Sequence, residues 1–257
     1  MHRDTTHPAP EPRDLTLENG PLGMLMGMNE ARISYLMRVL EDELGEDLSG
    51  TRVLDIGCGI GLLSEPLARG GCQVTAVDSE LATLELARKR AAAADLQIDY
   101  RTAHSENLPF ADASYDVAIC CDVLEHVDDL EQTLSETSRI LKQGGIYIFA
   151  TLNRTLESWL LAIKALQDWP FSRLLPGDLH RWQLFITPRE LQSLMAARGL
   201  KNRELTGLRP AASPIQILKN LRACKRGEMT ACEFARKLSM RTGRNARVQY
   251  LGFAIKM

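Results

Sequence analysis

The chain has 257 residues, 45% hydrophobic and 25% charged, with a formal net charge of −2. That is ample for one large domain with its own core, and the balanced charge argues against a nucleic-acid partner. No apolar run reaches the ~18 residues of a membrane span.

The first stretch, "MHRDTTHPAPEPRD", carries charge and proline but no apolar core of a signal peptide, so residues 1–18 are expected to be a flexible tail and 19–257 a single domain. From residue 50 the pattern becomes regular. "TRVLDIG" reads as a buried strand stopped by glycine, and "LLSEPLARG" as a helix ended by Gly70 and Gly71. "QVTAVD" is a second strand, "LATLELARKRAAAA" a strong helix former, "LQIDYRTA" a third strand and "YDVAICCDVL" a fourth. A helix follows from about Asp128 to Leu141, capped by Asp128 or Asp129 and stopped by Gly144 and Gly145, before a fifth strand, "IYIFATL". Strands alternating with helices imply a parallel sheet covered on both faces, a doubly wound α/β fold.

After Leu152 the rhythm breaks. Residues 153–186 form an apolar helical segment with Pro-Phe and Pro-Gly turns, rich in exposed-type hydrophobics such as Trp159, Leu160, Leu161, Trp169 and Phe171. About half of its apolar residues suit core packing of a cover; the rest suit an entrance for a lipophilic substrate or contact with a membrane surface. Thr187 with Glu190 makes a capping box, Pro188 takes the first helical position and Gly199 closes that helix. "KNRELTGL" and "RVQYLGFAIKM" are two further strands. Between them, about 213–246, lies a basic helical insert with Lys219, Arg222, Lys225, Arg226, Arg236, Lys237 and Arg241 against Glu228 and Glu233. It reads either as a solvated helix face or as an attraction to anionic lipid. Six cysteines without paired spacing point to reduced, mostly buried thiols in a cytoplasmic protein.

The loop "VLDIGCGIG" follows the first strand and opens the first helix, where a doubly wound sheet binds a nucleotide. Its spacing departs from the dinucleotide fingerprint G-x-G-x-x-G. Asp55, Gly57, Gly59 and Gly61 give D-x-G-x-G-x-G, which resembles motif I of the class I S-adenosylmethionine (SAM) methyltransferases. On that resemblance Cys58 belongs to the same loop, and Asp78, at the end of the second strand with Ser79 beside it, accepts the ribose hydroxyls. "SENLPF" lies near the adenine, with Ser105 and Glu106 as the nearest contacts because His104 stands where the common motif is acidic. Cys121 lines the same pocket.

A closer resemblance covers roughly residues 18–210 and 247–255. "LEHV" at 124–127, "TLNRTLESWLLAI" at 151–163, "FITPRELQSLMAARGL" at 185–200 and "GPLGMLMGMNEARISYL" near the N-terminus resemble the ubiquinone-biosynthesis O-methyltransferases, which methylate catechol-type hydroxyls on polyprenylated rings. The resemblance implies a Rossmann-like seven-stranded sheet, mostly parallel with a C-terminal antiparallel strand, plus the helical cover. It implies SAM as cofactor and a phenolic or quinol small molecule as substrate; peripheral contact at the inner face of a membrane is the expectation from the apolar cover and the basic insert. Arg32 falls where the family has an arginine that contacts SAM at its carboxylate; the family's proline is Glu30 here. His180 sits in "PGDLHRWQLF", where the family reads G-T-H-D-W, so Arg181 replaces an aspartate. The basic insert lies outside the resemblance.

Methyl transfer to a phenol requires alignment and removal of a proton from a group with pKa near 10. His126, just beyond the fourth strand, and His180 are the candidate bases, with Glu125 beside His126; each lone histidine also has the plain alternative of a structural hydrogen bond. A divalent metal such as Mg²⁺ held by Asp122, Glu125 and His126, at i, i+3 and i+4 of a helical turn, is the other solution. One branch of the family has Glu, Glu and His there. Competing classes are a nicotinamide-dependent oxidoreductase, which the glycine spacing opposes, a methyltransferase of other phenols or of N or C acceptors, and a non-catalytic SAM-binding scaffold.

Overall fold

The computed structural model describes residues 18–257 apart from residue 178. The tail expected over residues 1–18 therefore lies almost wholly outside the described residues. One mixed sheet organises the rest. Its strands are β1 (Arg52–Ile56), β2 (Gln73–Asp78), β3 (Asp99–Thr102), β4 (Tyr115–Cys121), β5 (Leu141–Leu152), β6 (Leu200–Pro210), β7 (Met240–Gly243) and β8 (Gln249–Lys256), in the order β3-β2-β1-β4-β5-β8-β6-β7. The first five run parallel, and β8, β6 and β7 continue the sheet antiparallel.

Period-2 alternation decides which side chain goes where. Val53, Val117 and Ile148 face α1 (Gly20–Leu44), α2 (Ser64–Arg69) and α3 (Leu81–Ala93) through Val39, Leu67 and Leu84. Their neighbours Leu54, Ala118 and Phe149 face α4 (Leu130–Ile140) and α6 (Pro188–Ala196) through Leu134, Leu191 and Met195. Asp129 caps α4 by accepting from the Gln132 amide at 2.9 Å, and the Thr187–Glu190 capping box opens α6 behind Pro188. The switch from β1 to β4 leaves the C-terminal ends of both strands facing one crevice, where such sheets bind ligands.

Three features differ from the sequence reading. A 25-residue helix, α1, packs on the sheet from the N-terminal side. The sheet has eight strands because Met240–Gly243 pairs antiparallel with Gly207–Pro210 inside the stretch read as helical. Ser239, at φ 50°, turns the chain out of α8 (Ala231–Leu238) and onto that edge. The insert is also not a solvated appendage. α7 (Pro214–Lys225) and α8 each begin on a capping box, and α8 buries Ala231, Cys232, Phe234, Ala235 and Leu238 against Met24 of α1 and Leu175 of the cover.

The α1–α8 crossing is close. A Cβ built at Gly27 would collide with the Cys232 carbonyl oxygen and the Ala235 Cβ. The cover itself begins at α5 (Leu156–Ser158), runs into a π-helical stretch over Trp159–Asp168, and closes through a short 3-10 turn, Trp182–Leu184. Gly27→Leu should overpack this crossing and lower chemical stability by about 1–3 kcal/mol, read as a lower denaturation midpoint. An unchanged midpoint would show that the insert does not pack on α1.

Candidate active site

A cavity of about 940 Å³ opens at the C-terminal ends of β1, β2 and β4. Its floor is the glycine loop. Gly57 and Cys58 donate backbone N–H bonds to the Val77 carbonyl at 2.8 and 2.9 Å, locking the loop onto β2. Gly57, Gly59 and Gly61 have φ of 70°, 53° and 81°, the left-handed region that only glycine enters freely. A Cβ on Gly57 would strike Val123 and one on Gly61 would strike the Tyr100 hydroxyl, whereas one on Gly59 would meet no protein atom within 4 Å.

Asp55 lies at the end of β1, 2% exposed, and accepts a 2.6 Å bond from Ser64 Oγ. Burial raises its pKa to about 6; the Ser64 bond opposes that and the charge of Asp78 adds to it. Asp78 accepts from the Gly59 amide at 2.9 Å with one carboxylate oxygen and from the Glu80 amide at 2.9 Å with the other. Each oxygen keeps a lone pair for a hydroxyl donor. Ser79, Ser105, Glu106, Cys58 and Cys121 all line the cavity. Ser105 Oγ donates to Glu106 at 3.0 Å, and Glu106 accepts from the Asp128 amide at 3.2 Å. Burial pushes the Cys58 and Cys121 thiols well above their ordinary range, so both act as apolar lining.

α1 supplies the wall. Leu22, Leu25, Asn29 and Arg32 reach the cavity from one helical face. Arg32 is 4% exposed and pairs with Asp122 through Nη2 at 2.7 Å, while its Nε and Nη1 are buried without a partner. The sequence reading named only Arg32 from this wall. The i, i+3, i+7, i+10 spacing of these four residues was the signal available for the rest. Glu80, Val123 and Arg181 also line the cavity.

The acidic segment after β4 behaves differently from the reading that placed Asp122, Glu125 and His126 on one helical face. Asp122 takes a left-handed φ of 58°, and the His126 amide donates to the Val123 carbonyl at 2.8 Å, so the chain makes a turn instead of a helix. Asp122 and His126 line the cavity; Glu125 points into the protein, 2% exposed, accepting 2.7 Å from Thr151 Oγ1. Burial, and secondarily the charge of Asp122, raises the Glu125 pKa to about 8 against the Thr151 bond. Asp122 is engaged by Arg32 and by Gln249 Nε2 at 2.7 Å. Among the described residues no three His, Cys, Asp or Glu side chains converge as cation ligands. This donor set does not fit a divalent ion.

His180 is half-buried in the cover, its ring 5.3 Å from that of His126 and edge-on to Phe185 at 6.0 Å. Its Nδ1 is buried without a partner, and burial, then the proximity of His126, lowers its pKa to about 4. Gln167 clamps its backbone, donating to the His180 carbonyl at 3.0 Å and accepting from its amide at 2.8 Å. The structure thus brings both candidate bases to one place, with His126 at the cavity and His180 behind it.

A family model described as "Methyltransferase domain" matches residues 54–149. A protein of Azorhizobium caulinodans named ubiquinone biosynthesis O-methyltransferase is 39% identical over 195 residues, covering 74% of this chain and 76% of that protein. The chain belongs to the ubiquinone biosynthesis O-methyltransferase family. It is a SAM-dependent methyltransferase. A Ruegeria pomeroyi protein of the same name is 41% identical over 187 residues, covering 70% of this chain and 73% of that one. Solved structures share the fold: a putative sarcosine dimethylglycine methyltransferase from Galdieria sulphuraria has a TM-score of 0.62 at 17% identity, with 88% of this chain and 85% of that one covered. Magnesium protoporphyrin IX methyltransferase from Synechocystis, with bound SAH, has 0.61 at 19%, covering 91% and 86%.

The methyltransferase cavity fits its cofactor on two observations: the loop leaves open space beside Gly59, and two buried Arg32 nitrogens lack an acceptor. Gly57→Ala adds a clash with Val123 to a left-handed φ, and each costs roughly 1–3 kcal/mol. SAM affinity by calorimetry should fall by tenfold or more, while Gly50→Ala, at φ 79° with nothing within 4 Å, leaves it unchanged.

Proposed function

We propose that this methyltransferase acts on a phenolic or catechol-type hydroxyl of a lipophilic ring, of the class to which polyprenylated quinone precursors belong. The observation that carries this reading is an apolar outer rim on the cover and α7, together with an imidazole, His126, that lines the cavity. Leu156 is 74% exposed, Phe171 72% and Ile215 of α7 81%, and Leu160, Leu161 and Trp169 of the cover are exposed as well. Soluble surfaces rarely show so many large hydrophobics on adjoining segments without a partner for them. The names of the curated relatives point to the same substrate class.

Bound SAM supplies an electrophilic methyl group on its sulfonium. The residues of the chain do the rest. Arg32 receives the carboxylate of the amino-acid end with its unpartnered nitrogens. Asp78 accepts from the ribose hydroxyls and Ser105 and Glu106 contact the adenine side. These contacts would hold SAM in the cavity at the ends of β1 and β4, which His126 also lines. An acceptor hydroxyl brought there must lose its proton, and a neutral imidazole within hydrogen-bond reach takes it. His180 stays neutral above about pH 4, so it adds no second positive charge beside His126. Arg181 extends over the same cavity in place of the family's aspartate. No step needs Glu125, which lies behind the turn, and none is routed through a metal.

His126→Gln should lower turnover of a demethylated quinol or catechol by about 10²–10⁴-fold, with SAM affinity intact. His180 has already lost its proton by pH 5, so the pH dependence of the rate above pH 5 should be unchanged in His180→Gln. Retained turnover in His126→Gln would end the base assignment. Absence of turnover with every phenol, amine and carbon acceptor tried would favour a SAM-binding scaffold.

The same rim suits peripheral binding at a membrane. No described helix is long and apolar enough to cross one, but the stacked pair Trp169 and Phe171 adjoins Arg173, whose carbonyl accepts from Lys225 of α7 at 2.9 Å. Lys219, Arg222, Lys225 and Arg226 on α7 and its end add attraction for an anionic surface. Co-sedimentation with phosphatidylglycerol vesicles should fall when Phe171 and Ile215 are both changed to Ser. Unchanged sedimentation would reject the membrane contact.

A further inference from the structure

We infer that Gln249, on the last strand, is a positioning residue for the cofactor: through Asp122 it fixes the Arg32 guanidinium in the orientation that receives a carboxylate. This rests on the reading of Arg32 given under Proposed function and extends it to a residue far away in sequence. Gln249 is 7% exposed and lies on β8 opposite Leu152 of β5 and Leu208 of β6. From there its Nε2 donates across the end of β5 to Asp122 Oδ1 at 2.7 Å. The other carboxylate oxygen, Oδ2, holds Arg32 Nη2 at 2.7 Å. The Asp122 amide donates to the Ala150 carbonyl at 2.9 Å, so backbone and side chain are both pinned.

The strained backbone supports a positioning role. Asp122 is a non-glycine residue at φ 58°, a conformation that costs free energy and persists where surrounding contacts enforce it. That turn takes the chain out of β4 and presents the carboxylate to α1. Arg32, which lines the cavity, then uses one nitrogen on Asp122 and keeps Nε and Nη1 buried and unpartnered. Buried cationic donors without an acceptor are rare, and a planar guanidinium matches a carboxylate in a fixed plane. A long arginine with only one anchor could turn away from that plane. Asp122 holds the anchor, and without Gln249 the Asp122 carboxylate is itself held on one oxygen only.

The test uses the full chain and two ligands: SAM, and 5′-methylthioadenosine, a neutral thioether that keeps the adenosine, sulfur and methyl but lacks the amino-acid end with its carboxylate and ammonium. Gln249→Met keeps the side-chain volume and removes the donor. Calorimetry should show SAM bound about tenfold more weakly, the size of one buried charge-assisted hydrogen bond, with methylthioadenosine binding unmoved. The KM for SAM should rise with it while the KM for the acceptor does not. Equal weakening of both ligands, or of neither, overturns the inference. If Gln249→Met does not fold, Asp122→Asn, which tolerates the left-handed φ, should show the same selectivity, and equal effects on both ligands there overturn the inference as well. Arg32→Gln is measured alongside. Selective loss of SAM in Arg32→Gln without any in Gln249→Met rejects the role of Gln249 and leaves Arg32 as the carboxylate contact. No loss in Arg32→Gln rejects the Arg32 reading itself.

Discussion

The Arg32–Asp122 ion pair joins parts of the chain that the sequence keeps far apart: the long N-terminal helix, the turn after β4 and, through Gln249, the final strand. A buried guanidinium is costly unless its donors are answered. Here one nitrogen is answered by protein, and the other two are buried without a partner in a side chain that lines the cavity. The rest of the site follows from satisfying that arrangement. α1 must lie against the sheet, Asp122 must leave the strand in a left-handed turn, and Glu125 is thereby turned inward to Thr151 while His126 reaches the cavity. The insert serves the same end, since α8 packs on the α1 face that carries Gly23 and Gly27 while Leu22, Leu25, Asn29 and Arg32 line the cavity.

The division between loop and wall also divides the chemistry. The glycine loop is backbone: its amides bind to Val77 and Asp78, and its missing side chains leave room for a ligand. The wall is side chain: a cation, an anion and two imidazoles set against an apolar cover. Low dielectric in such a crevice strengthens each polar contact. It also explains why burial moves Asp55 up to about 6, Glu125 up to about 8 and His180 down to about 4, each toward its neutral form.

What could be read from the sequence was whatever leaves a periodic or punctuating signal. The parallel half of the sheet, the glycine loop with Asp55 and Asp78, and the capped helix behind Pro188 all have such signals, and each stands where it was expected. β7 did not, being four residues long at a sheet edge and preceded by a single left-handed serine. α1 is apolar or small around most of its N-terminal half because the cavity and α8 cover different faces, so no single stripe marks it. Spacing alone also mistook the acidic turn. Residues i, i+3 and i+4 share a face only in a helix, and one positive φ at Asp122 sends Glu125 to the interior. Gln249 lay beyond reach for another reason: its role depends on strand order, which brings β8 next to β5.

The proposed role of Arg32, held by Asp122, is to receive the carboxylate of the cofactor. Crystallisation of the chain with S-adenosylhomocysteine measures this directly. A ligand carboxylate oxygen is expected within about 3 Å of Arg32 Nε or Nη1, with the Arg32–Asp122 pair intact. A ligand carboxylate bound elsewhere, with those two nitrogens still without an acceptor, would contradict it.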